Sequence, residues 1–230
     1  MEIIMGMSAE AFAIALLQII AIDIILGGDN AIVIALACRN LPPEERRIGI
    51  LWGTAGAIVL RVILVFFASA LMTTPGLRLI GGLLLLWIGV KLLTDTSNQH
   101  FDKKIAQKSN LLGAIKTIII ADFVMSLDNA LAIAAASKGN LFLVVFGLVL
   151  SVPIIIAGST LILRMMERFP FIILIGAGLL GWLGGDLIAN DSITQIILPE
   201  TILQTPWVIA SLGTGIVIGF GKLLMLRRSS

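Results

Sequence analysis

Residues 23–37 read DIILGGDNAIVIALA, and residues 122–136 read DFVMSLDNALAIAAA. Each stretch puts two Asp and one Asn inside an otherwise apolar run. In register, Asp23 matches Asp122, Asp29 matches Asp128, Asn30 matches Asn129 and Ala31 matches Ala130. A carboxylate in hydrocarbon is expensive unless it is paired, hydrated or metal-bound, so intramembrane acids mark functional sites by default. The fold and the chemistry of this chain both turn on why it does this twice.

The surroundings make a membrane the only plausible solvent. The 230 residues are 58% hydrophobic and 13% charged, with mean hydropathy +1.07. Apolar runs of transmembrane length recur along the whole chain. Seven spans are expected, at about 11–37, 48–71, 76–94, 111–136, 141–163, 170–189 and 205–226. The fold class is therefore all-α, a polytopic membrane protein of seven transmembrane helices. Residues 1–230 form a single integral membrane domain. The opening MEIIMGMSAE has no basic region of the kind that begins a cleaved signal peptide. One Cys (Cys38) and one His (His100) exclude an internal disulfide and a Cys/His metal centre.

Charge placement orients the spans. Arg39, Arg46, Arg47, Lys103, Lys104, Lys108, Arg164, Arg168, Arg227 and Arg228 follow the odd spans. Lys138 and Arg78 fall on the other side. The expected topology is N-terminus outside and C-terminus cytoplasmic in the plasma membrane. Trp52 and Trp207 sit near span ends, as interface anchors do. Trp87 and Trp182 lie deeper, where bundle packing is an equal reading.

The likeness of the two stretches extends downstream. PGLRLIGGLLLLWIGVKLL from Pro75 resembles PFIILIGAGLLGWLGGDLI from Pro170, aligning Gly81 with Gly176, Trp87 with Trp182 and Gly89 with Gly184. Spans one to three (about 10–94) thus repeat as spans four to six (about 110–190). Three is odd, so the halves insert with opposite orientation. This is the 3+3 inverted-repeat design of secondary transporters, whose sites lie at the repeat interface near the midplane. The helix at about 205–226 is an addition.

Asp23 and Asp122 fall near the middle of their spans, while Asp29 and Asp128 lie further along, towards opposite membrane faces. Asp23 and Asp29 are six residues apart, so an unbroken helix points them different ways. Gly27-Gly28 between them is a place where the helix can open. The second half has Ser126-Leu127 there instead, so a break is less expected; Ser126 can add a hydroxyl to the Asp122 face. Asp, Asn, Ser and backbone carbonyls form an all-oxygen set that suits Mg²⁺, Ca²⁺ or Mn²⁺ rather than Zn²⁺ or Cu⁺. The rival reading is structural: Arg61, mid-way along span two, neutralises one Asp. Lys91 and Asp186 are expected to snorkel or pair locally, and Pro153 to kink span five and free a carbonyl.

The paired motifs D-x-x-x-x-G-D-N-A and D-x-x-x-S-L-D-N-A, the span with Arg61 and the LIGGLLLLWIGVKLL segment resemble the TerC family of integral membrane proteins, in its YjbE-type branch, itself placed with LysE-like exporters. The resemblance implies an exporter of Mn²⁺ (or Ca²⁺) working by alternating access. Its candidate metal ligands are Asp23, Asp29, Asn30, Asp122, Asp128 and Asn129, with Ser126 and Arg61 in support. The metal is transported substrate, not a permanent cofactor, and no enzymatic activity is implied. Export of a basic amino acid and a non-transporting role in protein assembly or metallation are the alternatives. An intramembrane aspartyl protease is disfavoured, since Leu26 stands where Gly-x-Gly-Asp needs its first Gly. The expected partners are the lipid bilayer and a divalent ion, with room for a homo-oligomer; no phosphate loop or nucleic-acid surface is present.

Overall fold

The computed structural model describes residues 8–72, 74–94, 110–137, 139–197, 199 and 205–229. Lys103, Lys104, Lys108, Lys138 and His100 lie outside them. The described residues form helices without strands: α1 Ala9–Leu26, α2 Gly28–Cys38, α3 Pro43–Phe66, α4 Ala68–Met72, α5 Leu77–Thr94, α6 Leu111–Ser137, α7 Leu141–Arg168, α8 Phe171–Ala189, α9 Ser192–Ile197 and α10 Pro206–Ser229. Six are long and apolar enough to cross a membrane unbroken, and α1 with α2, bent by 51° at Gly27, counts as a seventh where the pair is one span.

Local chemistry sets the ends. Ser8 caps α1 by accepting from the Ala11 N–H at 3.2 Å, and Asn140 caps α7 through the Leu143 N–H at 3.2 Å. Pro43 opens α3 at its first turn, followed by Glu44 and Glu45 where the helix dipole favours acids. This α3 therefore starts five residues before the expected apolar span, because helix propensity continues past the hydrocarbon edge. For the same reason α7 runs on to Arg168. The expected end of span two divides: α3 stops at Phe66 and the short α4 follows. Pro153 lies within α7, which continues through it as one helix.

The packing order places the site. α1 packs on α6 and α7; α2 packs on α3, α6 and α7; α3 packs on α6. α5 packs on α8, and α10 on α8 and α5. At the α8–α10 contact a Cβ on Gly181 would stand 2.6 Å from the Gly213 carbonyl oxygen. Only glycine permits that approach, which is how helices associate where lipid is as apolar as leucine.

The apolar interior falls into clusters. One gathers Leu36, Ile50, Leu85, Ile118, Val124 and Leu180; another gathers Ile19, Leu64, Leu127, Ile133 and Leu148. Phe123, the neighbour of Asp122, packs against both. Leu17, Ile25, Phe66, Leu112 and Leu161 point outward, as a lipid-facing surface requires. All four Trp side chains also face outward, Trp87 and Trp182 included, so those two do not pack within the bundle. Lys91 lies 5.2 Å from the Trp87 ring centroid one turn away, and Asn190 donates to Asp186 at 3.3 Å.

Both ends of the bundle are tied. At one, Arg46 donates to the Leu41 and Arg39 carbonyls at 2.8 and 2.9 Å and pairs with Glu167 at 2.5 Å. At the other, Arg78 reaches the Asn190 carbonyl at 3.1 Å, and the buried Asp191 accepts from the N–H groups of Leu79 and Ile193. The α2–α3 turn thus shares an end with the close of α7, and the start of α5 shares the opposite end with the close of α8.

Candidate cation site

Four helices meet in one buried cluster centred on a guanidinium, which one of them carries and two others contact directly. Arg61 on α3 is 3% exposed. Its Nη1 donates to Asp23 Oδ1 on α1 and its Nη2 to Asp122 Oδ1 on α6. Its Nε donates to Ser126 Oγ at 2.9 Å. The Ser126 hydroxyl reaches back to Asp122 Oδ2 at 3.2 Å, one helical turn away. Ser151 on α7 donates to Asp23 Oδ2 and lies 2.8 Å from the Leu148 carbonyl. Every residue of this cluster is buried.

The two carboxylates that the sequence repeat pairs thus share a single cation. A planar guanidinium with five N–H donors is the side chain best able to bridge them. A buried ion pair of this kind holds helices in register but adds little net stability, because desolvation offsets the Coulomb gain. One guanidinium also leaves one of the two carboxylate charges uncompensated.

Beside the cluster lie polar atoms with no partner. They are Asn30 Oδ1 and Nδ2, Asp29 Oδ1 and Thr54 Oγ1. Asn30 and Thr54 are 4% and 3% exposed. Together with Arg61 and Asp122 they provide the polar lining of a cleft of about 20 Å³, otherwise walled by Val33, Ile34, Ile118 and Ile155. That volume admits one water-sized particle. Leaving such groups unpaired costs about 1–3 kcal/mol each, so a polar particle in the cleft would be favoured over an apolar one.

The helix breaks between Asp23 and Asp29, at the first of the two glycines. Gly27 ends α1 at φ −107°, ψ 8°, its N–H still bonded to the Asp23 carbonyl at 2.9 Å, and the Asn30 N–H bonds to the Gly27 carbonyl at 3.0 Å. A Cβ at Gly27 would collide with the Asp23 carbonyl oxygen, whereas one at Gly28 would meet nothing. Only the first glycine of the pair is required. The matching stretch in α6 is continuous, as its Ser126-Leu127 suggested.

The four acids do not meet at one point. Asp128 pairs with Arg78 of α5, at 2.6 and 3.0 Å, where both side chains are partly exposed. Arg78 also lines a more polar recess of about 170 Å³ with Thr74, Asn190, Asp191 and Gln195. Asn129 donates to the Leu26 carbonyl at 3.1 Å, tying α6 to the last residue of α1. Among the described residues, no three His, Cys, Asp or Glu side chains gather closely enough to hold an ion. Arg61 engages both central acids rather than one. Ser151 and Thr54 carried no sequence signal, since a hydroxyl in an apolar helix usually bonds its own backbone. Arg78 was visible in the sequence as a lone cation near a span end, but its pairing with Asp128 was not.

A broken first span, a bundle with an outward apolar surface and a polar centre buried between its helices define an all-α, polytopic integral membrane protein. The family model "Integral membrane protein TerC family" matches residues 8–229, and the chain belongs to that family. It is 43% identical over 189 residues to the uncharacterized membrane protein YjbE of Bacillus subtilis, covering 82% of this chain and 85% of that one. It is 26% identical over 193 residues to the inner membrane protein YgdQ of Escherichia coli, covering 77% and 81%. It is 26% identical over 186 residues to the membrane protein YkoY of Bacillus subtilis, covering 74% and 57%. No solved structure matches the chain.

Proposed function

We propose that this protein exports a divalent metal cation, Mn²⁺ foremost, by alternating access, with the N-terminus outside the plasma membrane and the C-terminus in the cytoplasm. Asp23, Asp122 and Asn30 supply the oxygen donors at the central cluster and its cleft, with Asp29 beside Asn30 as a further donor that must move in to reach the ion. Asp128 and Asn129 lie along the path towards the outer end. The metal is cargo, and the protein is not an enzyme. The single observation that carries this reading is the cleft where the shared Asp23–Arg61–Asp122 cluster adjoins the unpartnered oxygens of Asn30 and Thr54. Hard oxygen donors without thiolate or imidazole suit Mn²⁺, Mg²⁺ or Ca²⁺. Export direction and kinship with LysE-type exporters rest on the family resemblance alone.

Manganese tolerance of cells tests it. Asp23→Asn and Asp122→Asn should each abolish protection while the protein still reaches the membrane. Wild-type protection by both variants would remove these residues from the site.

A second reading draws on the same ion pairs. Three of the four acids already hold an arginine, as expected of a non-transporting membrane factor whose charges fix helix packing. That reading expects no flux in liposomes and a stable complex with another membrane protein. A basic amino acid as cargo is separated by competition with lysine.

A further inference from the structure

We infer that Arg61 is a built-in occupant of the cation site and that it makes the site selective for charge two over charge one. The inference rests on the cation reading above and gives Arg61, there only a supporting member of the cluster, a role of its own. Three carboxylates act on one another electrostatically without closing on one point: Asp23 and Asp122 on the guanidinium, and Asp29, with a buried, unpartnered oxygen, within coulombic reach of Asp122. Asp128 is balanced separately by Arg78. Three acids with one guanidinium leave two negative charges. A divalent ion cancels them while Arg61 stays charged nearby; a monovalent ion leaves one uncancelled in a medium where that is costly. A monovalent ion must also displace an equal charge that holds its carboxylates through a rigid fork, so it gains nothing by the exchange.

The structure supplies a place for the displaced guanidinium. Thr54 precedes Arg61 by seven residues on α3, about two turns, and so lies on the same helix face. Long side chains on a helix lean towards its N-terminus, which is the direction of Thr54. Thr54 Oγ1 and Asn30 Oδ1 are acceptors without donors, and both line the cleft that Arg61 borders. Arg61 therefore has two stations. On the first it clamps Asp23 and Asp122. On the second, one terminal NH2 group of the guanidinium, itself about the size of a water, enters the cleft and donates to Thr54 and Asn30, and the freed carboxylates face the ion. Thr54 Oγ1, which the ligand set does not use, and a second lone pair of Asn30 Oδ1 are the acceptors of the second station.

Mn²⁺ binding to the purified full chain in detergent, read from the free-ion EPR signal, tests this. Wild type should bind Mn²⁺ and hold it equally well in NaCl and in choline chloride of the same ionic strength. Arg61→Gln should bind at least about tenfold tighter in choline chloride, since one cationic charge a few ångströms away has gone, and should lose that gain in NaCl. If Arg61→Gln does not fold, Arg61→Lys, which reaches one carboxylate at a time, should show the same change in smaller degree. Thr54→Val removes only the second station and should weaken Mn²⁺ binding about fivefold or more, with a melting temperature that is equal or higher, because Oγ1 bonds nothing in the clamped state and its buried, unpaired hydroxyl is lost. Equal affinities for all these proteins in both salts would overturn the role of Arg61 and leave the cation reading standing. Absence of Mn²⁺ binding by wild type would overturn the cation reading itself.

Discussion

Gly27→Ala and Gly28→Ala should have opposite effects, although the two glycines are adjacent and alike in the sequence. At Gly27 a methyl group meets the Asp23 carbonyl oxygen and stands 3.1 Å from Asn30 Nδ2. Straightening the break would relieve the clash, but α2 has 11 residues and is about 16 Å long. Removing a 51° bend would swing its far end by about 14 Å, a value that follows from that length and angle. That end carries the fully buried Cys38 and Ala35, so the swing is blocked. The clash must be taken up locally, by shifting the Asn30 turn against Asp23, at about 1–3 kcal/mol for overpacking. For a chain of this size that is a fall of a few to about ten degrees in apparent melting temperature. Gly28 has open space and a helical backbone, so alanine there is neutral or stabilising by up to about 1 kcal/mol. Thermal unfolding of the detergent-solubilised variants, followed by tryptophan fluorescence, gives both values. Equal destabilisation by the two substitutions, or none by Gly27→Ala, would refute the collision argument.

Ser151→Ala removes a donor to Asp23 Oδ2 and should cost about 1–3 kcal/mol for the buried carboxylate left short of a partner, seen in the same melt; Ser211→Ala, at an exposed hydroxyl bonded only within α10, is the silent comparison. Arg78→Gln breaks a partly exposed pair with Asp128 and the bond to the Asn190 carbonyl and should cost no more than about 2 kcal/mol, so loss of manganese tolerance by a variant that still folds into the membrane would come from the transport path. Gly181→Leu should detach α10 from α8, because a side chain there enters the space of the Gly213 carbonyl; trypsin cleavage near the C-terminal arginines of the solubilised protein should become faster.

Much of this architecture was written in hydrophobic lengths. The seven expected spans correspond to six whole helices and one bent pair, because length and polarity are properties a bilayer tests directly. The break at Gly27 was also legible, since two glycines between two acids leave little else for the backbone to do. What the sequence left open was pairing. Arg61 and Arg78 each have several acids within conceivable reach, and only the packing of α3 on α6 and of α5 against α6 assigns Asp23 and Asp122 to one and Asp128 to the other. Ser151 and Thr54 were invisible for a related reason: a hydroxyl's role depends on the neighbouring helix, and that neighbour is set by packing contacts far apart in the chain.

The most direct measurement is flux. The purified protein is reconstituted in liposomes and uptake of ⁵⁴Mn²⁺ is followed with and without excess lysine, beside Asp23→Asn and Asp122→Asn. The account predicts saturable uptake by wild type that lysine does not inhibit, and uptake at the level of empty liposomes for both variants. Absence of wild-type uptake, or uptake by the variants equal to wild type, would contradict it.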